Sequence, residues 1–485
     1  RLYIHDLYMY VYFFYQNLTK ADTGSPWLLP YNRVSSGFEA TYNYNKKYFL
    51  KLDLGYSGSE QYARSHRFTA TPALSAAWVL SNESFLANSD VVSLFKIRAS
   101  YGKTANDQSS LAHFAYLDNV TLNGGGYLGY LQYTVVEQQK GNPNIRAEVS
   151  TKKNIGLDLG FFNALTFTVD LFQERMNNMI VSAYATVPEY QGVPLFNYPQ
   201  TNTGKFENKG FEITGMYEKT FSKDFSINLG GMLSYAKNKV LYFGESLKTD
   251  DYVYRKMQEG YAFGQQFGYL VDYSNGNGFF NTQSELDNSP KYGSGTPRLG
   301  DLKYQDLNGD GNIDERDYAP IGNGLLPQTI YSFTTGLRYK QLDFNVQFQG
   351  IGKYSSLISG MGVFETEYDG VFGSLHRKSW TKERYENGEE ITSPALSLAK
   401  SVNQEATDYW NFNRSYIRLK NLEIGYTLPA HFTRTISMEK IRIIASGQNL
   451  ITWDKMKTSD FGPESSSYAA IPVYRVYNIG LSATF

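Results

Sequence analysis

The feature that most constrains this chain is a strict alternation of apolar and polar side chains with a period of two residues. The clearest case is residues 341–349, where Leu342, Phe344, Val346 and Phe348 alternate with Gln, Asp and Asn. Successive side chains of a β-strand point to opposite faces, so this segment has one apolar face and one hydrogen-bonding face. We count about fourteen segments of this kind, which predicts an all-β chain.

The connections between these segments alternate between short and long. The short ones are residues 45–47, 162–163, 222–224 and 340, and the long ones are 102–146, 177–204, 239–326, 353–413 and 454–472. Loops of that length are uncommon in compact soluble domains, whereas short turns on one rim and long loops on the other are typical of outer-membrane barrels. The sequence therefore predicts a transmembrane antiparallel β-barrel with long extracellular loops and with Phe485 at the periplasmic rim.

Composition excludes several other classes of protein. No run of about 18 apolar residues is present that could form a membrane-spanning helix. A net charge of -1 without a basic block offers no electrostatic footprint for nucleic acid, and the absence of Cys excludes disulfide frameworks and zinc–thiolate sites. The H-E-x-x-H and G-x-S-x-G motifs do not occur, and the five His residues are scattered, so we predict no enzymatic activity.

A barrel of this kind needs a polar inner wall, because polar side chains facing lipid are penalised. The residues that we expect to line this wall are Thr166, Thr168, Asp170, Asn228, Asp343, Asn345, Gln347, Asn478, Ser482 and Thr484.

Aromatic residues make up 16% of the chain, and many lie near the ends of the alternating segments. This placement predicts an interfacial girdle, although Tyr and Phe also favour strands in general. The expected girdle residues are Tyr42, Tyr44, Tyr48, Phe49, Trp78 and Tyr426. Between Arg418 and Tyr426 the apolar phase flips, which predicts a β-bulge near Lys420 and Asn421.

One long loop contains a calcium-binding pattern. Residues 306–317 read DLNGDGNIDERD, with oxygen-bearing side chains at positions 1, 3, 5, 7, 9 and 12 and Gly311 at the turn position 6. The predicted ligands are Asp306, Asn308, Asp310, Asn312 through its backbone carbonyl, Asp314 and Asp317, with Ile313 facing inward. A structural calcium ion is one interpretation, and an acidic turn that binds no metal is the other.

Several separated blocks of the sequence resemble the C-terminal part of SusC-like TonB-dependent outer-membrane transporters of Bacteroidetes. The blocks are residues 94–102 (LFKIRASYG), 141–144 (GNPN), 154–160 (NIGLDLG), 207–212 (ENKGFE), 300–311 (GDLKYQDLNGDG), 415–429 (SYIRLKNLEIGYTLP), 447–450 (GQNL), 472–475 (PVYR) and the terminal Phe485. They follow the order of the family and extend over nearly the whole chain from about residue 33 onward.

The resemblance implies a 22-stranded barrel closed by a plug domain, of which residues 1–485 are the C-terminal portion without the plug and the first strands. It also implies a SusD-like lipoprotein lid, energy coupling by TonB, ExbB and ExbD through the N-terminal region, and dimers of transporter–lid pairs. The cargo of such a transporter is an oligosaccharide or a peptide.

Two other functions remain open at this stage. A barrel of the same type can serve as a structural or accessory part of an outer-membrane assembly, because fold does not fix function. A soluble all-β binding protein or glycoside-processing enzyme would need a pair of carboxylates converging in a cleft.

Overall fold

The structure, a computed structural model, is dominated by β-strands. It describes residues 4–19, 30–107, 111, 114–124, 134–182, 197–364, 371–435, 437–465 and 467–485. Fourteen strands in this part of the chain form one antiparallel sheet, which confirms the predicted all-β fold. None of the described helices has the length and apolar character needed to span a membrane.

The strands are, in chain order, β1 (His5–Leu18), β2 (Tyr31–Tyr44), β3 (Tyr48–Ser59), β4 (Phe68–Val79), β5 (Val92–Asn106), β6 (Asn119–Gly124), β7 (Thr134–Gln139), β8 (Glu148–Phe161), β9 (Leu165–Ser182), β10 (Gln200–Ser222), β11 (Phe225–Tyr242), β12 (Gln266–Gly268), β13 (Lys291–Tyr292), β14 (Asn312–Ile313), β15 (Ala319–Ile321), β16 (Thr329–Tyr339), β17 (Leu342–Gly352), β18 (Ser355–Leu357), β19 (Asn411–Asn413), β20 (Tyr416–Thr427), β21 (Lys440–Asp454) and β22 (Val476–Thr484). The helices are α1 (Gln283–Asp287), α2 (Lys382–Glu386) and α3 (Ala430–Thr435), and 3₁₀ turns lie at Arg64–His66, Leu80–Asn82, Tyr273–Asn275, Glu315–Asp317, Ser374–Lys378 and Val402–Gln404.

The large sheet has the order β1-β2-β3-β4-β5-β8-β9-β10-β11-β16-β17-β20-β21-β22. The remaining strands pair within the long connections, namely β6 with β7, β12 with β15, β13 with β14 and β18 with β19. The predicted alternation of short and long connections is therefore present, and three of the long ones, β5–β8, β11–β16 and β17–β20, contain paired strands of their own.

Two of the short connections are tight turns with two consecutive residues in the left-handed backbone conformation. Asn45 and Lys46, between β2 and β3, have φ angles of 50° and 53°, and Phe162 and Asn163, between β8 and β9, have φ angles of 54° and 51°. Two consecutive positive φ angles are typical of the type I′ turn, whose twist matches that of paired antiparallel strands. These turns fix the register of the hairpins that they close.

The chain divides into two compact units. Unit 1 consists of Arg1–Ile213 and Ala236–Ser246, and unit 2 consists of Thr214–Tyr235 and Leu247–Phe485.

In unit 1 the sheet has one apolar face that is exposed in this chain. Leu50, Leu52 and Leu54 of β3 are between 45% and 48% exposed. They lie opposite Tyr42, Ala40 and Phe38 of β2, so the apolar residues of the two strands share that face. A continuous apolar face of this kind suits contact with lipid rather than with water.

Three of the aromatic residues predicted to belong to a girdle form a row in unit 1, and their position at a membrane interface stays a prediction. Tyr44, Tyr48 and Trp78 lie side by side on β2, β3 and β4, and the ring centroids of successive residues are 6.3 and 6.2 Å apart. The hydroxyl of Tyr48 and the indole N–H of Trp78 both donate to Glu83. The inclusion of Phe49 in this girdle was wrong, because Phe49 follows Tyr48 directly in the strand and therefore points to the opposite face.

In unit 2 the alternation of β17 continues across its neighbours. Phe344 lies opposite Leu337 of β16 on one side and Ile424 of β20 on the other, so the apolar residues of three strands share one face. The predicted bulge is confirmed, because Gln347 pairs with Asn421 and the next residue, Phe348, pairs with Leu419, which leaves Lys420 without a partner in the ladder.

The most deeply buried residues of unit 2 lie in the connections between strands rather than in the sheet. We call the set the loop core. Its residues are Tyr269, Val271, Phe279, Phe280, Tyr292, Leu302, Tyr304, Ile313, Ile358, Val363, Phe364, Leu375, Trp380, Val402, Tyr409, Trp410, Phe412 and Phe461. They come from the connections β11–β16, β17–β20 and β21–β22, so three segments distant in sequence fold around one core.

Polar contacts within the loop core satisfy its buried hydrogen-bonding groups. The hydroxyl of Tyr304 donates to the carbonyl of Val402 at 2.5 Å, and the indole N–H of Trp410 donates to the carbonyl of Asn403 at 2.6 Å. Asn403 in turn donates to the fully buried carboxylate of Asp301 at 2.8 Å. Because buried polar groups are costly when unpaired, these bonds fix one arrangement of the segments.

Candidate functional site

The polar face of the sheet in unit 2 collects the predicted inner-wall residues of that unit. Asn228 of β11 and Asn345 of β17 both lie opposite Gly336 of β16, on its two sides. At the end of the chain, Asn478 lies opposite Ser446 and Ser482 lies opposite Arg442. The alternation and the pairing place the remaining residues of this set on the same face, namely Asp343, Gln347 and Thr484.

A cavity of about 640 Å³ opens on this face. Its lining includes Asn228, Asn345, Gln347, Asn421 and Glu423. The side-chain amide of Asn421 donates to the amide oxygen of Gln347 at 2.6 Å, which orients both groups. Amide and carboxylate groups in this arrangement can exchange hydrogen bonds with the hydroxyl or amide groups of a solute.

Arg442 of β21 joins two other strands on the polar face. Its guanidinium donates to both carboxylate oxygens of Asp343, at 3.0 and 2.5 Å, and to Glu423 at 2.6 Å. The side chain passes over Gly425 of β20, where a Cβ atom would lie only 2.4 Å from Nη2 of Arg442. The glycine therefore makes room for an ion pair that crosses one strand.

Unit 1 repeats the same arrangement with different residues. Arg98 of β5 passes over Gly156 of β8 and donates to both carboxylate oxygens of Asp170 on β9, at 2.7 and 2.6 Å. A Cβ atom on Gly156 would lie 2.4 Å from the Arg98 guanidinium carbon. Asp158 accepts a further bond from Arg98 at 3.3 Å. The predicted wall residues Thr166, Thr168 and Asp170 share this polar face by alternation.

The sequence analysis did not single out Arg98 or Arg442, although it assigned both Asp170 and Asp343 to the polar wall. Both arginines could have been predicted from one pattern: a basic residue at a polar position of one strand and a glycine at a polar position of the strand that pairs with it. A guanidinium binds a carboxylate through two parallel N–H groups, so a carboxylate on a nearby strand was a partner to be expected.

The predicted calcium loop, residues 306–317, is held by hydrogen bonds from its carboxylates to its own backbone. Asp306 accepts from the backbone N–H groups of Gly309 and Gly311, at 2.7 and 2.8 Å. Asp317 is fully buried and accepts from Leu307 and Asp314, at 2.9 and 3.0 Å. Burial raises the pKa of Asp317 above its ordinary value. The loop is thus a compact turn closed by its first and last carboxylates.

The expected inward position of Ile313 is confirmed, because its side chain is fully buried in the loop core. Ile313 and Asn312 form β14, which pairs with β13, and the N–H of Gly293 donates to the carbonyl of Ile313 at 2.9 Å. The loop is thereby attached to the core through its eighth position.

Arg316 neutralises part of this loop. Its guanidinium lies 2.8 Å from a carboxylate oxygen of Asp310 and forms a second ion pair with Asp314. The hydrogen bond from Arg316 lowers the pKa of Asp314, and the backbone N–H of Asn312, assisted by the charge of Arg316, lowers the pKa of Asp310. Two of the six predicted ligands therefore already have a cationic partner.

Among the described residues, no three His, Cys, Asp or Glu side chains form a group that could hold a metal ion. Asn308 directs its side-chain oxygen to the backbone N–H of Asp310 at 3.0 Å, and Asn312 donates to Asp310. Asp306, Asn308, Asp310, Asn312, Asp314 and Asp317 lie in one turn, as their spacing requires, and calcium binding stays a prediction.

A second contact that the sequence analysis missed attaches the last long connection to β20. Arg418 donates to Glu464 at 2.5 Å and to the hydroxyl of Thr452 at 2.8 Å, while the hydroxyl of Tyr416 donates to Glu464 at 2.9 Å. Four residues earlier, the guanidinium of Arg414 donates to the backbone carbonyl of Pro463 at 2.6 Å. These bonds hold the connection between β21 and β22 beside the N-terminal end of β20.

Comparison with known proteins identifies a family model that matches residues 8–450 of the chain. The family is described as "TonB dependent receptor-like, beta-barrel". The match covers most of the chain and includes strands from both units.

Curated relatives agree with this match. The chain is 28% identical to TonB-dependent receptor P3 of Formosa agariphila, over 93% of this chain and 45% of the relative. It is 26% identical to TonB-dependent receptor SusC of Bacteroides thetaiotaomicron, over 92% of this chain and 43% of the relative. The chain thus spans less than half the length of these relatives.

Among solved structures, the RagAB peptide importer in its "open-open" state is similar in fold. The TM-score is 0.72 at 20% identity, and the alignment covers 99% of this chain and 53% of the RagAB chain. A second RagAB structure gives a TM-score of 0.71 at 19% identity, over 96% of this chain and 49% of that chain.

Proposed function

The chain belongs to the TonB-dependent receptor-like β-barrel family, and from this premise we propose that it forms the channel wall and outer loops of an outer-membrane nutrient importer. The match to this family and the similarity to TonB-dependent receptor SusC support a transport function rather than an enzymatic one. The observation that carries the proposal is the continuous polar face, backed in the same strands by an apolar face that suits lipid.

The ion pairs on the polar face support a channel wall. Arg98 forms an ion pair with Asp170, and Arg442 forms one with Asp343. These charged groups therefore have partners within the wall and need none from a passing solute. The polar face of each unit also offers amide or hydroxyl groups, which can replace part of the hydration shell of a polar solute. Such a wall would let a polar cargo pass without a covalent step.

We further propose that the cargo is an oligosaccharide or a peptide delivered by a SusD-like lipoprotein lid. The folded loops of unit 2 support this part of the proposal, since the buried loop core holds three connections together and their outer side can provide a surface for a lid or a ligand. The RagAB structure is described as a peptide importer, which keeps a peptide cargo among the possibilities.

In this proposal, residues 1–485 are the C-terminal portion of a 22-stranded barrel, and a plug domain outside these residues couples import to TonB, ExbB and ExbD. The last strand, β22, would bring Phe485 to the periplasmic rim. Two transporter–lid pairs would associate as a dimer. Residues 306–317 would bind a structural calcium ion through Asp306, Asn308, Asp310, Asn312, Asp314 and Asp317, with no role in transport chemistry.

The test begins with the full-length protein, purified from the outer membranes of its native host under mild conditions, followed by mass spectrometry of the proteins that accompany it. We expect a SusD-like lipoprotein in stoichiometric amount. Deletion of the gene should then abolish uptake of one labelled oligosaccharide or peptide fraction, and deletion of tonB should abolish uptake of the same fraction.

The alternative function, a structural or accessory part of an outer-membrane assembly, predicts different results. Co-purification with assembly or secretion factors, together with unchanged uptake of every fraction after gene deletion, would contradict the import proposal.

A further inference from the structure

A recess in the loop assembly of unit 2 has an unusual charge distribution. The cavity has a volume of about 590 Å³, and its lining includes Arg377, Lys378 and Lys457 together with the aromatic residues Tyr273 and Tyr409. No Asp or Glu is among the lining residues. Three cationic groups therefore face one concave space whose other walls are aromatic, aliphatic or neutral.

Two of these three cations have no carboxylate partner. Lys378 forms an ion pair with Glu390, whereas neither Arg377 nor Lys457 lies within 4.0 Å of a carboxylate in the part of the chain that the structure describes. Like charges that share a recess repel each other, and the repulsion is strengthened where water is partly excluded. An anion entering the recess would remove this repulsion.

Lys457 is held by aromatic rings rather than by an acid. Its ammonium lies 4.5 Å from the ring centroid of Tyr409 and 5.3 Å from that of Phe412, and it donates to the carbonyl of Tyr409 at 2.7 Å. The Lys457 side chain as a whole is exposed, and local desolvation of its ammonium lowers its pKa. The nearest acidic group acting on it, Asp408, is engaged by the backbone N–H of Val271 at 3.0 Å.

We propose that this recess binds the carboxylate of an acidic cargo, with Arg377 and Lys457 as the anion-binding groups and with Tyr273 and Tyr409 as the surface for the adjoining ring or apolar group. A guanidinium presents two parallel N–H groups to a carboxylate, and an ammonium adds a point charge. The C-terminal carboxylate of a peptide and the carboxylate of a uronic acid in an oligosaccharide share this chemistry. The biological role of the site rests on the proposed import function, whereas the binding itself does not.

Two probe pairs can separate the two sources of carboxylate. One pair is an N-acetylated, phenylalanine-containing tripeptide with a free C-terminal carboxylate and the same tripeptide as its amide. The other is digalacturonic acid and its dimethyl ester. Binding to the full-length protein in detergent is measured by calorimetry at low and at high salt. We expect the acid of at least one pair to bind tenfold or more tightly than its neutral counterpart, and we expect this difference to shrink at high salt.

Variants then test the two cations. Lys457→Met keeps the length and the apolar stem of the side chain, so it should lose the tenfold preference for the acid. Lys455→Met is the matched control, because Lys455 is two residues away and equally exposed but is not part of the lining, and it should retain the preference. Arg377→Gln, on a different segment, should lose the preference independently, which protects the test against misfolding of one variant.

The binding results distinguish the two classes of cargo and can overturn the site. A preference for the free tripeptide alone would support a peptide cargo, and a preference for digalacturonic acid alone would support an acidic oligosaccharide. Equal binding of acid and neutral forms, or equal behaviour of Lys457→Met and Lys455→Met, would overturn the site. Binding of neither acid would also overturn it. Binding in detergent needs no TonB, so such a failure alongside intact uptake would leave the import proposal standing.

Discussion

Arg442 on β21 and Asp343 on β17 form a two-point ion pair although β20 lies between their strands. Residue 425, where the Arg442 side chain crosses β20, is a glycine, so no Cβ atom occupies the space of the ion pair. Ladder hydrogen bonds join a strand to its direct neighbours, whereas this pair joins a strand to its second neighbour. It therefore braces the polar face against sliding of one strand relative to the next.

Substitution of Gly425 by Ala should break this brace. The new Cβ atom would lie 2.4 Å from Arg442 and 2.5 Å from the Asp343 carboxylate, so one partner must move away. We expect a loss of roughly 1–3 kcal/mol in the free energy of unfolding, the range for a hydrogen bond to a charged group that is left without its partner. The measurement is a urea titration of the full-length barrel followed by heat-modifiable gel mobility.

Gly480→Ala is the matched control for this experiment. Gly480 lies on β22 on the same polar face, and nothing lies within 4 Å of a Cβ atom placed there. If Gly425→Ala and Gly480→Ala had the same midpoint, the ion pair would not contribute to stability.

The facing of β17 can be tested at two adjacent residues. Val346 shares the apolar face with Leu422, so Val346→Arg would place a charge in lipid and should cost about 2–4 kcal/mol near the membrane midplane. Gln347 lies on the polar face, and Gln347→Ala should be mild because the Asn421 amide can turn to water. Refolding into vesicles of defined thickness gives both unfolding free energies, and equal losses would show that the assigned faces are wrong.

The predicted calcium site can be tested by substituting residues of the loop. Asp306→Ala combined with Asp310→Ala should abolish calcium binding measured by calorimetry, while Glu315→Gln, in the same loop but at a non-ligand position, should not. Arg316→Gln should strengthen binding, because the guanidinium that competes for Asp310 and Asp314 is removed. Absence of a binding signal in the parent protein would refute the site.

The same loop should loosen in acid when no calcium is present. The folded-state pKa values of Asp310 and Asp314 are lowered below the ordinary value of 3.8, so their contribution to stability is complete above that value and is lost as the pH falls through the lowered pKa values. We expect hydrogen exchange of residues 306–317, corrected for its intrinsic pH dependence, to rise in this window. In Arg316→Gln the rise should be much smaller, and an equal rise in both proteins would contradict the assigned ion pairs.

The strands were predictable because their cause is local. A period of two residues in segments such as 341–349 specifies which side chains share a face, and the change of phase beside Lys420 specifies the bulge. The polar-wall residues Asn345 and Asn478 followed from the same rule. Phe49 was misassigned because the prediction used its closeness to a strand end and ignored its phase.

The contacts between distant segments were not predictable in the same way. Asp301 and Asn403 are about a hundred residues apart, and no periodicity marks either residue before the segments fold together. Arg98, Gly156 and Gly425 lie inside blocks that resemble the family, but the blocks alone do not show that a glycine on one strand makes room for an arginine from the next. Such three-strand contacts depend on register, which is a property of the whole sheet.

The loop core also determines which antibodies can recognise the folded protein. Three segments that are distant in sequence bury Phe279, Trp380 and Phe461 together, so neighbouring surface residues come from different parts of the chain. Antibodies raised against single loop peptides should therefore bind the folded protein poorly, whereas antibodies raised against the folded protein should lose binding when Trp380 is removed from the core. The recognised surface would be a conformational epitope.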